Sequence, residues 1–382
     1  MAVRRIFCWL AVLALVGTMG AGVKAAPAEV AAKSAVLMDA TTGTILYEQN
    51  SSDALAPASV TKVMTMLLIM EAIDSGKLSW EDTVTASEAA AAKGGSQIYL
   101  KVGETMSVSD MVKSIAVSSA NDCACAMAEH LAGSEAAFVD MMNQRAQELG
   151  MENTHFVNCT GLDDEPEADS HKTSAADIAI MSRELLTKHP DIKNYTTIWM
   201  DTVRNGTFGL SNTNKLVRFY SGATGLKTGF TSSAGYCLSA SAMRDGMELI
   251  AVVMGSETSQ ARFAACKSLL DYGFANYALV APEVEQGEVT VTLGTEGSVR
   301  AVPAQNPRLL IDKSQRDSVH TTLELKEEIE APVSQGQRLG TLTVKAGEQV
   351  LQQIPLVAET SVPKLSFSQM YVKILKRICM AK

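Results

Sequence analysis

The spacing of apolar residues changes along the chain and divides it into segments of different predicted structure. Residues 34–48 hold two short apolar runs on either side of a polar turn, which predicts a β-hairpin. Apolar residues then recur at helical spacing from Ser59 to about residue 75, after a proline suited to a helix entry. Residues 87–186 are mainly helical in pattern, with Ala-rich segments separated by Gly or Pro.

After residue 225 the spacing of apolar residues changes from that of helices back to that of strands. Residues 235–255 predict two strands joined by an Asp-Gly turn at Asp245 and Gly246, and a helix is predicted over 260–272. Strands at both ends of a helical segment favour an α+β or α/β domain over residues 26–278, in which the terminal strands share one sheet.

Residues 279–359 show a third pattern: short β-type runs alternate with turn residues, and no amphipathic helix is evident. This pattern predicts a small all-β domain of the sandwich type. The predicted strands are 289–293, 299–302, 321–325, 342–344 and 354–357.

The pattern of the last segment, residues 360–382, predicts an amphipathic helix. Its polar side carries Gln369 and basic residues. An apolar stripe opposed by lysines is typical of a helix lying in a membrane interface, so we expect it to bind the cytoplasmic membrane surface. Docking on its own domain is the alternative. The apolar stripe consists of Phe367, Met370, Tyr371, Ile374, Leu375 and Ile378.

Residues 1–25 have the three parts of a secretory signal peptide: two arginines, an apolar run and small residues near a cleavage site. The apolar run is shorter than the roughly 20 residues that span a bilayer. We therefore expect an exported protein in the cell wall space, at the outer face of the cytoplasmic membrane.

Charge is unevenly distributed along the 382 residues. The whole chain carries −9, whereas residues 26–363 carry −17 and residues 364–382 carry +5. Such an acidic body repels phosphates, which argues against a nucleic-acid partner. The cysteines and histidines form no zinc motif; Cys123 and Cys125 are expected to be ordinary buried thiols, and no metal or cofactor is predicted.

Ser59 and Lys62 place a hydroxyl and an amine one helical turn apart, at the start of a predicted helix. A lysine held in a dry pocket loses its proton and can act as a base for serine. The pattern alone is weak, because a second S-x-x-K occurs at Ser361 and Lys364, where Pro363 forbids a helix.

Two further short motifs follow in order. Ser119-Ala120-Asn121 lies between helical runs, where Ser and Asn also serve as caps. Lys227-Thr228-Gly229 opens a predicted strand, with a glycine that leaves room for a substrate backbone. The ordered set S-x-x-K, S-x-N and K-T-G is far more specific than any one of its parts.

With these motifs and the contexts APASVTKVMT, SSANDCACAMAEH and GATGLKTGFTSSAGYCLSASA, the sequence resembles the serine-type D-alanyl-D-alanine carboxypeptidases, or low-molecular-mass penicillin-binding proteins. The resemblance covers nearly the whole chain after the signal peptide. It implies a β-lactamase/transpeptidase-like α+β fold, an antiparallel sheet with a helical cluster, followed by the small β domain and the terminal helix. It also implies peptidoglycan stem peptides as substrates and β-lactams as covalent inhibitors.

The resemblance implies a role for each motif residue. Ser59 is the implied nucleophile, Lys62 its general base and Ser119 the proton relay to the leaving amine. Asn121 and Gly229 would contact the substrate, and Lys227 and Thr228 would hold its terminal carboxylate. The N–H groups of Ser59 and Phe230 would form the oxyanion hole.

The sequence departs from some family members at two points. Phe230 follows K-T-G where some members have His, and Thr213 is the best match to an arginine that aids carboxylate binding in others. Asp177 is expected to pack or cap a helix instead of acting as an acid.

Three other functions share parts of this pattern. A class A β-lactamase needs a glutamate segment that is not found between Ser119 and Lys227. An endopeptidase that cuts crosslinks would use the same residues and stays open. A scaffold that has lost catalysis is disfavoured, because every motif residue is present.

Overall fold

The computed structural model describes residues 30–164, 167–285 and 287–380, so the predicted signal peptide lies outside the described residues. The described α-helices are α1 (Lys62–Asp74), α2 (Glu88–Ala92), α3 (Val108–Ser118), α4 (Asn121–Ala132), α5 (Glu135–Glu148), α6 (Ala175–Lys188), α7 (Lys193–Thr196), α8 (Leu216–Phe219), α9 (Ser259–Asn276) and α10 (Phe367–Met380). The described strands are β1 (Ser34–Asp39), β2 (Ile45–Gln49), β3 (Thr83–Thr85), β4 (Thr105–Ser107), β5 (Met200–Val203), β6 (Phe208–Ser211), β7 (Ala223–Thr231), β8 (Gly235–Arg244), β9 (Met247–Ser256), β10 (Tyr277–Val280), β11 (Gly287–Thr292), β12 (Ser298–Pro303), β13 (Leu309–Asp312), β14 (Val319–Leu325), β15 (Glu328–Glu330), β16 (Arg338–Ala346) and β17 (Gln349–Ala358).

One antiparallel sheet of order β2-β1-β9-β8-β7 organises the first domain. The N-terminal hairpin therefore pairs with strands from beyond residue 220, as predicted. Asp245 and Gly246 have φ values of 49° and 76°, so both central residues of the predicted β8–β9 turn are left-handed. That geometry matches the twist of a two-residue hairpin.

The sheet is buried on both faces, which explains why the central residues of β1 and β9 are apolar. Val36 and Met38 of β1 face the large core formed with α1, α3, α4 and α6. Ala35 and Leu37 alternate with them and face α9. The helical segment thus covers one face and α9 the other, while β7 is left at a sheet edge.

The second domain is all-β, as predicted, and is built on a six-stranded sheet of order β14-β16-β17-β12-β11-β15. Each of the five predicted strands coincides with one of its members, and β13 and the three-residue β15 were not predicted. β10 pairs with β13, so the end of the first domain contributes a strand to the second.

The predicted segment, residues 360–382, begins seven residues too early for the terminal helix observed, α10. The residues just before it belong to the β domain, because Val362 N–H donates to the Val333 carbonyl and Leu365 N–H to the Leu293 carbonyl. Among the helices described, none is both long and apolar enough to span a bilayer.

Candidate active site

Ser59 lies on a short 3₁₀ helix, Ala58–Thr61, that leads directly into α1. One turn later, the Nζ atom of Lys62 is 3.0 Å from the Ser59 Oγ atom. The lysine is completely buried, whereas the serine is half-buried and reachable. The predicted pair is therefore formed, with an accessible hydroxyl next to an enclosed amine.

The surroundings of Lys62 favour its neutral form. Burial lowers its pKa to about 7, although Cys159 and Asp122 act in the opposite direction. The amine also donates to the Thr160 carbonyl at 2.8 Å, which fixes its direction. Near neutral pH a large fraction of this lysine can accept a proton from Ser59.

The second motif lies at the junction of α3 and α4. Ser119 ends α3 in the left-handed conformation, with φ 63°, and it is almost fully buried. Asn121 begins α4, where its backbone N–H donates to Ser96 O and its side-chain Nδ2 donates to Gly94 O, both at 2.7 Å. Its Oδ1 atom is buried without a protein partner, an arrangement that is rare away from binding sites.

The third motif lies on β7, the edge strand of the sheet. Lys227 is buried, and its Nζ donates to the Thr228 carbonyl at 2.8 Å. Burial, and then repulsion from Lys62 and Arg262, lowers the pKa of Lys227 well below its usual value. A buried amine next to two other basic groups is suited to pair with an incoming carboxylate, which would restore its charge.

Gly229 brings β7 against the turn that carries Ser59. A Cβ atom on Gly229 would lie 2.7 Å from the Pro57 carbonyl oxygen and 3.1 Å from the Ser59 nitrogen. Only glycine permits this approach. The adjacent Phe230 directs its ring outward, 52% exposed, where it stacks on Tyr236 with ring centroids 4.3 Å apart.

Thr213 connects the second and third motifs. Its backbone N–H donates to the Val117 carbonyl, two residues before Ser119, and its hydroxyl accepts from the Thr228 hydroxyl at 2.7 Å. The structure thus brings all three motifs together on one side of the domain, at the edge of β7.

Comparison with known proteins agrees with this geometry. The profile of the family described as D-alanyl-D-alanine carboxypeptidase matches residues 21–258, and that of the penicillin-binding protein 5 C-terminal domain matches residues 274–364. The chain is 44% identical to D-alanyl-D-alanine carboxypeptidase DacF from Bacillus subtilis over 343 residues, covering 88% of this chain and 87% of the relative. The chain belongs to the D-alanyl-D-alanine carboxypeptidase family.

Solved structures support the fold of this carboxypeptidase family member along most of its length. Penicillin-binding protein 5 from Haemophilus influenzae superposes with a TM-score of 0.75 at 31% identity, covering 89% of this chain and all of that one. Penicillin-binding protein D2 from Listeria monocytogenes, bound to ampicillin, gives 0.56 at 32% identity, covering 64% of this chain and 98% of that one. The protein is a serine-type peptidase with the transpeptidase-like fold predicted from its motifs.

Thr213, a departure from the family pattern, and Asp177, the expected packing residue, both have defined contacts in this carboxypeptidase. Thr213, the match to the arginine of other members, contacts Thr228, whereas Lys215 and Arg218 are exposed. Asp177 is buried and accepts hydrogen bonds from the Asn153 N–H and the Thr154 hydroxyl, so it packs the start of α6 as expected.

Arg262 of α9 is a site-positioning residue that sequence reasoning missed. The side chain is buried, and its Nη1 donates to the carbonyls of Gly229 at 2.8 Å and Cys237 at 3.2 Å. Arg262 thereby fixes β7 from the side opposite Ser59. Its sequence context is that of an ordinary helix start, so only the fold reveals this contact.

Two more polar residues support the motifs and were not predicted. The Asp122 carboxylate accepts from the N–H groups of Ile98 and Leu100, which holds the loop beside Asn121. The Asn158 Oδ1 atom accepts from the N–H groups of Thr160 and Gly161, so the Thr160 carbonyl points at Lys62. The adjacent sequence Asn158-Cys159-Thr160-Gly161 is a turn-forming run that could have suggested an ordered loop.

Proposed function

We propose that this protein removes the terminal D-alanine from peptidoglycan stem peptides through an acyl-enzyme on Ser59. The supporting observation is the Ser59–Lys62 pair: a reachable hydroxyl lies 3.0 Å from a fully buried amine whose pKa is lowered to about 7. Such a pair supplies both the nucleophile and its base without a metal or cofactor.

In the proposed acylation, neutral Lys62 takes the hydroxyl proton as Ser59 attacks the carbonyl of the D-Ala-D-Ala bond. The oxyanion accepts hydrogen bonds from the N–H groups of Ser59 and Phe230, which the close contact at Gly229 holds near each other. Ser119 relays this proton from Lys62 to the leaving amine, which restores neutral Lys62, and D-alanine departs. Water then hydrolyses the ester and restores Ser59.

Substrate orientation follows from the edge of β7. The terminal carboxylate pairs with Lys227 and the Thr228 hydroxyl, which explains a requirement for a free C-terminus. Gly229 lets the peptide backbone lie along the strand, and Asn121 offers its unpaired Oδ1 atom to a substrate N–H. A β-lactam acylates the same serine, and its leaving amine stays attached, so that ester persists.

The decisive experiment compares D-alanine release from a diacyl-Lys-D-Ala-D-Ala peptide by the wild type and by Ser59→Ala. We expect release and labelling by a fluorescent penicillin to disappear in Ser59→Ala. Ser361→Ala is a matched control, because Ser361 belongs to the second S-x-x-K but accepts a hydrogen bond from Gln335 N–H in the β domain. Penicillin labelling of Ser59→Ala would contradict the assignment, and release only from crosslinked muropeptides would indicate an endopeptidase.

We also propose that residues 1–25 direct export and that α10 holds the enzyme on the outer face of the cytoplasmic membrane. The apolar side chains of Phe367, Tyr371, Ile374 and Ile378 are all exposed, with Phe367 at 88%. Large apolar groups exposed in a row along one helix are suited to insertion among lipids.

Removal of residues 367–382 tests this anchoring. The cut leaves residues 362–365 in place, since these residues hydrogen bond to the β domain. We expect the shortened protein to leave the membrane fraction with full D-alanine release. Continued sedimentation with membranes would refute the anchor. In the full-length chain, the double change Ile374→Glu with Ile378→Glu should also remove the protein from the membrane fraction.

A further inference from the structure

Two buried thiols share one carboxylate behind the active site. The Cys159 Sγ atom lies 3.1 Å from the Glu135 Oε1 atom, and the Cys125 Sγ atom lies 3.7 Å from Oε2 of the same side chain. Both cysteines are buried, and the nearness of Cys125 is one of the causes that raise the pKa of the Cys159 thiol, after burial itself. Cys125 belongs to α4, which begins at Asn121, whereas Cys159 lies 34 positions further along the chain.

The other buried cysteines have different surroundings. Cys266 and Cys237 make sulfur contacts with backbone carbonyls, at 3.6 Å to Ala251 and 3.9 Å to Ala56. Cys123, on the opposite side of α4 from Cys125, interacts with Ser114 and Asp122. Of the cysteines that the structure describes, Cys125 and Cys159 are therefore the pair whose positions favour a mutual bond.

The Cys159 backbone is directly connected to the catalytic lysine. Its carbonyl accepts the Thr65 hydroxyl at 2.7 Å, one turn along α1 from Lys62. The next carbonyl, that of Thr160, accepts from the Lys62 Nζ atom at 2.8 Å. A displacement of Cys159 towards Cys125 must therefore shift the group that orients Lys62.

The cluster also has a route to solvent. Glu135 forms an ion pair with Lys93 at 2.7 Å, and the two side chains are 21% and 14% exposed. Separation of this pair uncovers the carboxylate and the thiols beneath it. Burial raises the pKa of the Cys159 thiol, so the closed cluster is unreactive, and oxidation requires such an opening or occurs while the chain folds.

We propose that Cys125 and Cys159 form a redox pair whose disulfide displaces the Cys159–Thr160 segment and slows acylation of Ser59. The inference rests on the proposed export, since disulfides persist outside the reducing cytosol. The oxidant is a disulfide, either a small-molecule disulfide or that of an exported thiol oxidoreductase. One cysteine attacks it as the thiolate and releases one thiol; the other cysteine attacks the resulting mixed disulfide and releases the second. The two cysteine protons end on the two released thiols, and the oxidant gains the two electrons.

The test uses the protein with Cys379→Ser, because exposed Cys379 would otherwise form disulfides between chains. After equilibration with oxidised or reduced glutathione, peptide mapping under non-reducing conditions and the rate of fluorescent-penicillin acylation are measured in parallel. We expect a Cys125–Cys159 crosslink, a loss of two free thiols, and acylation about tenfold slower, because misplacement of a catalytic group by about 1 Å costs up to about 100-fold. Dithiothreitol should restore both readouts.

Cys125→Ala should show neither the crosslink nor the slowing, whereas Cys123→Ala, on the same helix, should show both. A different pairing, such as Cys123 with Cys125, would overturn the proposal, as would a Cys125–Cys159 crosslink with unchanged acylation. Because the crosslink is measured without substrate, failure of the carboxypeptidase assay alone would count against the proposed function and leave the thiol result standing.

Discussion

At the scale of single residues, the protonation of Lys62 determines when Ser59 can react. Because burial lowers the lysine pKa to about 7, the amine is mostly protonated below that pH and mostly neutral above it. The acylation rate at saturating β-lactam should therefore fall by about tenfold per pH unit below pH 7 and level off above it. Stopped-flow acylation from pH 5 to 9 checks this. A flat profile would show that Lys62 is not the base, and a rate that still rises tenfold per unit at pH 9 would show that burial does not lower its pKa.

A substitution at Gly229 tests whether the close approach of β7 to Ser59 is needed, because it changes only the volume of the side chain. In Gly229→Ala the new methyl group meets the Pro57 carbonyl oxygen at 2.7 Å and pushes β7 away from Ser59. Acylation should slow by about tenfold or more, since the oxyanion donors separate. Gly209→Ala on β6 is the control, because its methyl group would enter open space. Equal acylation rates in the two variants would mean that β7 tolerates the displacement.

The residues in these two predictions were identifiable from the sequence, but their supports were not. Ser59, Lys62 and Gly229 belong to short motifs whose spacing is visible in one dimension. Asn158 acts within its own turn, on the Thr160 and Gly161 N–H groups. Arg262 and Asp122 act on carbonyl or N–H groups of other segments, and nothing in their local sequence specifies those partners. Folding alone brings such a residue to a backbone group 24 to 33 positions away, as with Ile98 for Asp122 and Gly229 for Arg262.

At the scale of elements, the long strands and helices were predictable because each repeats its pattern over several turns or alternations. The short antiparallel strand pairs β3–β4 and β5–β6 were missed, since three or four residues are too few to establish a period. The order of the central sheet was only partly predictable. Burial of both faces removed the polar alternation that would have marked its strands.

The contact of α9 with β7 gives a prediction at this scale. Arg262→Gln shortens the side chain and leaves the Gly229 and Cys237 carbonyls without their donor, at a cost of about 1–3 kcal/mol for each buried group. We expect a lower thermal midpoint together with slower acylation, while the pH midpoint of acylation stays unchanged because Lys62 is untouched. Lys267→Gln, an exposed change on the same helix, should alter neither quantity. If Arg262→Gln lowers the thermal midpoint but is acylated at the normal rate, the role of Arg262 is structural only.

At the scale of the whole molecule, the chain separates a strongly acidic body from a basic C-terminus. Residues 26–363 carry −17, so an anionic membrane repels the body while it attracts the terminal helix. The two domains are joined through β10, which pairs with β13, and residues 362–365 hydrogen bond to the β domain. In the proposed anchoring, the segment after residue 366 is therefore the part that contacts the lipid.

Lys364 and Lys373 allow a test of which basic residues attract the membrane. The positive charge of Lys364 is already paired with an acidic residue, whereas that of Lys373 is carried on the terminal helix. Lys364 pairs with Glu330 at 2.6 Å, whereas Lys373 lies on α10. Each basic residue near an anionic surface contributes about 1 kcal/mol, and this attraction is screened within about 10 Å at 0.1 M salt. Lys373→Gln should therefore weaken cosedimentation with vesicles containing anionic phospholipid by several-fold at low salt, and Lys364→Gln should weaken it little. Both effects should shrink as salt rises, and neither should occur on vesicles of phosphatidylcholine alone. Vesicle binding that is independent of lipid charge and salt concentration would mean that the apolar stripe holds the helix at the membrane without a contribution from its lysines.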